Sequence, residues 1–349
     1  MKNLALLHFA DLHVSEKERD YSMSILNEII NAASSCDAIV IAGDLFDSFS
    51  DMSALWKPVM GLFASYDRPV IYCAGNHEYL EKGKHSFSEF LPADNVFFVS
   101  EPGLSVISPD SLDTEFVVLP FYPGDSSFDA AAVPDFSGKK RVFVSHGTLG
   151  GMYEFFSNED DFAVISPSVL EAVSADYAAL GHIHSAFYQK KDGCVLCYPG
   201  SSRVWRKGES GKRSCMRVSL GTSVEVERVF LDEAGEWKEL SVIAGADDIF
   251  SLADTDLSLS DYLTIRLDGI MDNMQAASEF KKKIEELFAG RVRKLDIDDN
   301  VDYLSKMSEY RIVKLFLKKM DDIKDKYDKD TWNRALLKGL LELKQELSQ

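Results

Sequence analysis

Long apolar runs, cysteine pairs, histidines and net positive charge are all scarce in this chain, and each shortage excludes something. No stretch of the 349 residues approaches ~18 consecutive apolar positions, so a membrane-spanning helix is not expected. Five cysteines, an odd number at irregular spacing, do not make a disulfide framework. Cys194 and Cys197 form a C-x-x-C, but a structural zinc needs two further ligands, and CVLCY reads as a strand. The N-terminal MKNLALLHFADLHV carries one lysine and a brief apolar run that ends in Asp11 without a small-residue cleavage site. It reads as structure rather than as a signal peptide. A reducing cytoplasm is the expected compartment. Lys and Arg number 38 against 57 Asp and Glu, a formal net charge of −19. Such a balance argues against a bare nucleic-acid coat protein, although a local basic strip or bound metal reverses the field where it stands.

At 46% hydrophobic content the chain can bury sizeable cores. Short apolar runs (LALLHFA, DAIVIAG, RPVIYCAG, FVVLPFY, RVFVSHG, YAALGHI) have the length and composition of buried strands. Between them, Ser22 to Ala33 repeats apolar residues at helical spacing, and Asp51 to Tyr66 is a second helix with Pro58 as a flaw. The alternation predicts an α/β layered domain over 1–236, with SCMRVSL and SVEVERVFL as antiparallel strands near its end. A small α+β unit is expected over 237–300, running strand, polar link, strand (Tyr262 to Leu267), helix (Gln275 to Phe288), strand (Arg291 to Ile297). A helix-loop-helix over 301–349 follows, with Asp330 or Thr331 as the cap between Tyr310 to Tyr327 and Thr331 to Leu347.

The chain has seven histidines, and five fall in groups just past predicted strands. Asp11-Leu12-His13 follows LALLHFA, Gly43-Asp44 follows DAIVIA, and Gly75-Asn76-His77 follows VIYCA. Ser145-His146-Gly147 ends RVFVSHG, and Gly181-His182-Ile183-His184 follows YAAL. Open α/β sheets place their ligands at the carboxyl ends of strands. In an extended segment i and i+2 share a side, so D-x-H and H-x-H would each offer two ligands together. Two carboxylates, one amide oxygen and several imidazoles suit two divalent ions of Mn, Fe or Zn type better than Ca or Mg. Two such ions, two carboxylates and a bridging hydroxide leave a centre of roughly one net positive charge, which attracts a phosphate ester. Paired ions ~3.5–4 Å apart suit in-line attack of an activated hydroxide on phosphorus.

D-x-H, GD, GNH, a single H and GHxH, in that order over about residues 4 to 205, resemble the calcineurin-like metallophosphoesterases. The resemblance implies a layered α/β sandwich in which Asp11, His13 and His184 hold one metal. It gives Asn76, His146 and His182 to the other, Asp44 to both, and to His77 the leaving oxygen. The metal would be Mn(2+). GDLFDS and YPGSSR (Tyr198 to Arg203) are similar to the DNA-repair exonuclease branch, the bacterial SbcD-like subunits. That branch implies a DNA substrate, a capping domain where 237–300 stands, and a tail that docks an SMC-like coiled-coil ATPase. A homodimer is also compatible. Glu78 departs from the Asp more frequent in that branch, and GNHE is also how protein phosphatases read. GDLFDSFS, however, lacks the phosphatase continuation GD-x-V-D-R-G. The alternative is a stand-alone phosphodiesterase or phosphatase acting on a small molecule or phosphoprotein.

Arg203, Arg206, Lys207, Lys212, Arg213 and Arg217 cluster around Trp205 with Glu209 as the lone acidic neighbour. They form a candidate phosphate-backbone strip, with a solvated loop as the competing reading. Lys281 to Lys283 with Arg291, Arg293 and Lys294 form a second basic run. His8 reads as strand packing, His85 as a polar loop residue, and Asp47 as a residue that orients a ligand or caps a segment. In the tail, Ile312, Val313, Phe316, Leu317, Met320 and Ile323 make one apolar stripe, and Leu336, Leu337, Leu340, Leu341 and Leu347 another. These are the surfaces expected to dock the ATPase.

Overall fold

The structure, a computed structural model, describes residues 3–78, 87–121, 133, 138–150 and 164–347; His85 lies outside them. The chain divides into two compact units, Met1–Glu236 and Trp237–Gln349.

In the first unit the strands are β1 (Leu4–Phe9), β2 (Ala38–Ala42), β3 (Val70–Cys73), β4 (Val96–Val99), β5 (Ser105–Ile107), β6 (Thr114–Leu119) and β7 (Lys140–His146). Then come β8 (Thr148–Leu149), β9 (Val164–Ile165), β10 (Tyr177–Gly181), β11 (Phe187–Lys191), β12 (Cys194–Tyr198), β13 (Ser214–Leu220) and β14 (Val224–Phe230). Twelve of them form two six-stranded sheets, ordered β14-β13-β1-β2-β3-β4 and β11-β12-β10-β7-β6-β5, and β8 pairs with β9 alone. Within each sheet four consecutive strands are parallel, β1 to β4 in the first and β6, β7, β10 and β12 in the second. Parallel strands buried on both faces need unbroken apolar runs, which is why AIVIA and VIYC have no polar alternation.

One face of each sheet meets the other. Leu6, Val40, Ile71 and Val218 from the first pack with Val118, Val144, Tyr177 and Val195 from the second. His8 sits in this layer with its Nδ1 2.8 Å from the Tyr177 hydroxyl, and burial lowers its pKa to about 3, so it packs as a neutral ring. The opposite face of the second sheet is covered by α3 (Pro167–Val173), through Val169 and Val173 against Phe143 and Leu180. The helices α1 (Arg19–Ala32) and α2 (Phe49–Ala64) bury Ile25, Leu26, Ile29, Leu55, Val59 and Phe63. Ser48 caps α2 by accepting from the Asp51 N–H at 3.1 Å, and Pro58 is carried within the helix. All five cysteines are buried and free, with Cys194 and Cys197 in β12.

The second unit is a parallel three-stranded sheet, β15 (Trp237–Ala244), β16 (Tyr262–Met271) and β17 (Lys294–Tyr303), with the crossover helix α4 (Met274–Phe288) between β16 and β17. Ile284 and Phe288 of α4 pack on Leu263, Ile265 and Leu267. Strand β17 continues through Tyr303, so the boundary expected after residue 300 falls inside a strand. After the short α5 (Leu304–Met307), α6 (Arg311–Asp322) and α7 (Lys329–Leu347) complete the unit. The cap of α7 is Asp328, whose carboxylate accepts from the Thr331 N–H at 2.9 Å, rather than Asp330 or Thr331.

The tail's apolar stripes face one another. Val313, Phe316 and Leu317 join Leu336, Leu337, Leu340 and Leu341 in one cluster with Ile270 of β16 and Met307. Ile312 departs from the stripe and is 52% exposed. The docking surface read from these stripes is therefore occupied within the chain, because two amphipathic helices beside a sheet end bury most by packing on it. The second basic run is also largely paired internally: Lys281 meets Asp299 at 2.6 Å and Lys294 meets Asp296 at 3.4 Å. Arg291 donates to the carbonyls of Ala253 and Thr255.

Candidate metal centre

Where β1 ends, the chain turns so that Asp11 and His13 take φ of 53° and 46°. Asp44 after β2 (49°) and His182 after β10 (92°) do the same, so four of the seven non-glycine residues with positive φ among the described residues are expected ligands. Left-handed backbone costs a residue with a Cβ roughly 1–2 kcal/mol, and such strain gathers at functional sites. The extended i, i+2 reasoning gives way here. Asp11 and His13 reach one cluster through left-handed turns, and His182 and His184 serve different neighbours. Two glycines make room: a Cβ on Gly181 would overlap the Ala42 carbonyl, and one on Gly75 the Asp44 carboxylate.

The YPGSSR segment ties the two sheets' loops together. The Ser201 N–H donates to the His184 carbonyl at 3.1 Å, and the Ser202 hydroxyl to the Ala10 carbonyl at 2.9 Å. Arg203 donates to the His13 carbonyl at 3.0 Å and pairs with Glu18.

Asp11, His13 and His184 bring ligand atoms within 4.8 Å of one another, as do His13, Asp44 and His77, and Asp11, Asp44 and His146. Asp44 thus belongs to groups on both sides. In the first cluster His13 Nε2 stands 3.4 Å from His184 Nε2, and His184 Nε2 is 3.8 Å from Asp11 Oδ1. In the second, His146 Nε2 is 2.9 Å from Asn76 Oδ1 and 3.3 Å from Asp44 Oδ2. His182 Nδ1 lies 3.2 Å from the same Asn76 oxygen. His77 Nδ1 donates to the Asp47 carbonyl at 2.5 Å, leaving Nε2 3.9 Å from Asp44 Oδ2.

Proton accounting tests whether these residues fit metal ions. His146 Nδ1 can only donate to the Ala42 carbonyl, 2.8 Å away, so the neutral ring carries its lone pair on Nε2. That lone pair points at Asn76 and Asp44 oxygens. His184 Nδ1 is 2.5 Å from Glu209 Oε1, which leaves its Nε2 lone pair facing His13 Nε2. His182 Nε2 is buried without a protein hydrogen-bond partner. Electron pairs converging in two places need cations, and the residues fit them. The titration pattern agrees at His13 and His182, whereas His146 keeps a proton that a metal would have to displace. Burial raises the Asp11 carboxyl to about 7, with Asp44's like charge adding to the effect. Burial lowers the imidazoles of His13 to about 4 and His182 to about 3, the neutral form that metals require. Burial also opposes charge on His146, yet Asp44 holds it up at about 10, while Asp44 is held below the usual carboxylate range.

Four residues that the motifs did not mark as ligands position those that they did. Glu78, fully buried, accepts backbone N–H bonds from Asp44 (3.0 Å), Phe46 (2.9 Å) and Gly75 (2.7 Å), fixing the loops after β2 and β3. Asp47 Oδ1 takes the Trp205 indole N–H at 2.8 Å and stands 3.4 Å from His13 Nδ1, so it orients a ligand and Ser48 does the capping. Trp205 stacks on His13 with centroids 4.2 Å apart at 10°. Glu209, besides holding His184, accepts from the Trp205 backbone N–H at 3.1 Å; burial opposes its charge, but the His184 bond lowers its pKa. A carboxylate behind a ligating histidine fixes its tautomer and orientation. Glu209→Gln is accordingly expected to weaken Mn(2+) binding at the Asp11, His13 and His184 position by about 10–100-fold. Calorimetric titration of the metal-stripped protein measures it, and an unchanged affinity would refute the orienting role.

The basic strip divides. Arg203 and Arg213 are 4% and 6% exposed and spend their donors internally, Arg213 on the Ser201 hydroxyl and the Glu209, Ser210 and Gly211 carbonyls. Each guanidinium spends its donors in closing the loop, so either one offers a ligand fixed charge rather than free hydrogen bonds. Arg217 pairs with Glu227 at 3.2 Å across β13 and β14. Arg206, Lys207 and Lys212 remain exposed.

The profile of the calcineurin-like phosphoesterase superfamily domain matches residues 4–223. The chain belongs to that superfamily. Its match covers every strand of the two six-stranded sheets except β14, and every ligand position described above, so a mixed α/β fold and phosphoester chemistry are family properties here. A relative, the uncharacterized metallophosphoesterase YhaO of Bacillus subtilis (strain 168), is 23% identical over 251 residues, covering 63% of this chain and 58% of that protein. The chain thus spans less than two thirds of that relative's length. Among solved structures, an uncharacterized phosphoesterase from Streptococcus pneumoniae TIGR4 shares 16% identity at a TM-score of 0.35, covering 66% of this chain and 92% of its own. A dimetal phosphatase from Danio rerio shares 12% at a TM-score of 0.43, covering 65% and 98%. In this superfamily member no helix among the described residues is long and apolar enough to cross a membrane.

Proposed function

We propose that the chain is a two-metal phosphodiesterase that hydrolyses DNA. The observation that carries it is the convergence of unprotonated nitrogens and carboxylate oxygens at the ends of parallel strands from two sheets. When bound, paired divalent ions supply Lewis-acid polarisation of the phosphoryl oxygens and activate water. The chain's own residues do the rest. Asp44 stands between the two ligand groups, and Asp11 and Asp44 keep the site selective for cations until it is loaded. His77, whose side chain is 24% exposed where His146 and His184 are 0% and 8%, is a histidine that a substrate can reach. Its Nδ1 is held by the Asp47 carbonyl, which aims Nε2 at the site to place a proton on the departing oxygen.

DNA is favoured over a neutral substrate by Arg206, Lys207 and Lys212, exposed cations lining a cavity that His184 also borders, in a chain of net charge −19. An SMC-like ATPase remains a partner by resemblance alone. A second reading, hydrolysis of a small phosphodiester, is favoured by that cavity's volume of about 490 Å3, within the range of small-ligand sites. The test is to incubate the Mn(2+)-loaded chain with linear DNA and with a chromogenic phosphodiester. Degradation of DNA at a kcat/KM at least about tenfold higher, a preference of roughly 1.4 kcal/mol, supports the nuclease reading. Turnover of the small diester with intact DNA moves the chain to the second reading.

A further inference from the structure

Beside His184 lies a cavity of about 490 Å3 whose lining includes Arg206, Lys207, Lys212, Arg213 and Arg228, with Glu209 as its one carboxylate. Five cations against one carboxylate, in a chain with 57 acidic and 38 basic residues, is a local reversal of the protein's field. Glu209 does not cancel it, being engaged by His184 at 2.5 Å and by Arg213 at 3.7 Å. Two of the five, Arg213 and Arg228, are tied down. Arg213 is locked by loop carbonyls, and Arg228 donates to the Ser214 hydroxyl at 2.7 Å and the Lys212 carbonyl at 3.0 Å. Their charges are therefore fixed before any ligand arrives, which lowers the ordering cost of binding. Arg206, whose guanidinium lies 4.4 Å from the Trp205 ring, and Lys212 stand exposed at the rim.

We propose that this cavity is an oxyanion subsite for a phosphate group other than the one being cleaved, so that the substrate is a strand with successive phosphates. The strand assignment rests on the nuclease reading above, whereas the subsite itself does not. His184 borders both the cavity and the Asp11 and His13 cluster, so a strand whose scissile phosphate lies over the metals can place a neighbouring phosphate against Arg206 and Lys212. A phosphorylated protein side chain, with one phosphate, would leave the subsite unused.

The test uses the full chain stripped of metal, so that no bound ion competes for the phosphate. Inorganic phosphate is titrated by calorimetry into the wild type and into the double variant Arg206→Ala, Lys212→Ala, with circular dichroism to show that both are folded. Binding by the wild type that falls at least tenfold in the double variant is the expected result. No binding by the wild type, or equal binding by both, overturns the subsite. A 5′-phosphorylated thymidine dinucleotide is then expected to bind at least tenfold more tightly than inorganic phosphate, with the same dependence on Arg206 and Lys212. Equal affinities would identify free phosphate as the occupant and overturn the strand assignment. Failure of the nuclease reading is seen separately, as a chain that binds these probes when stripped but leaves DNA intact when loaded with Mn(2+).

Discussion

Asp44→Asn abolishes phosphodiester hydrolysis and lowers metal occupancy at both positions. The carboxylate lies 3.3 Å from His146 Nε2 and 3.9 Å from His77 Nε2, and its oxygens belong to ligand groups with Asp11 and with His13. Replacing one oxygen by an amide nitrogen removes a negative charge and a ligand together while keeping the shape. A Lewis-acid contribution of several kcal/mol, at tenfold per ~1.4 kcal/mol, puts the loss at roughly 10³-fold or more. The fold should survive, because the amide retains an oxygen for the His77 N–H, which now bonds Asp44 Oδ1 at 2.9 Å. Steady-state kinetics at limiting Mn(2+), with metal analysis of the same sample, reads the effect. Turnover at the wild-type rate would contradict a shared ligand.

His77→Ala separates a proton donor from a ligand. A positioned general acid contributes about 10²–10⁴-fold, so turnover should fall by that factor while the metal content is unchanged. The geometry makes this a sharp test, since His77 lies close enough to His13 and Asp44 to be counted with them as a ligand. Loss of one ion with the ring would make His77 a ligand and leave the proton to another group.

The gathering of the candidate ligands was legible because each is announced by the strand before it. A short apolar run that leads into Gly, Asp or His needs no knowledge of the partner strands. The α/β layering follows from the same runs, and the sandwich from the family resemblance. Less legible was anything settled across the fold. Glu209 meets His184 from 25 residues away, after β11, β12 and an intervening loop, and its sequence neighbours suggested a basic surface. Its isolation among cations was the available signal. Arg203 and Arg213 have the same composition signature as Arg206 and Lys212, and only burial distinguishes structural guanidiniums from exposed ones. Glu78 looked like a departure from a motif, and its three backbone contacts give it a physical role as the staple between two loops. The short strands β4, β5 and β11 gave weak patterns because they are brief edge strands with partly polar faces. The tail was read as a surface because periodicity reveals an apolar stripe but not what covers it; here α6 and α7 cover each other.

The most direct test of the metal centre is anomalous diffraction from crystals grown with Mn(2+). The ligand geometry predicts two peaks, one among Asp11, His13 and His184, the other among Asn76, His146 and His182, with Asp44 between them. A single peak, or peaks away from these side chains, would contradict it.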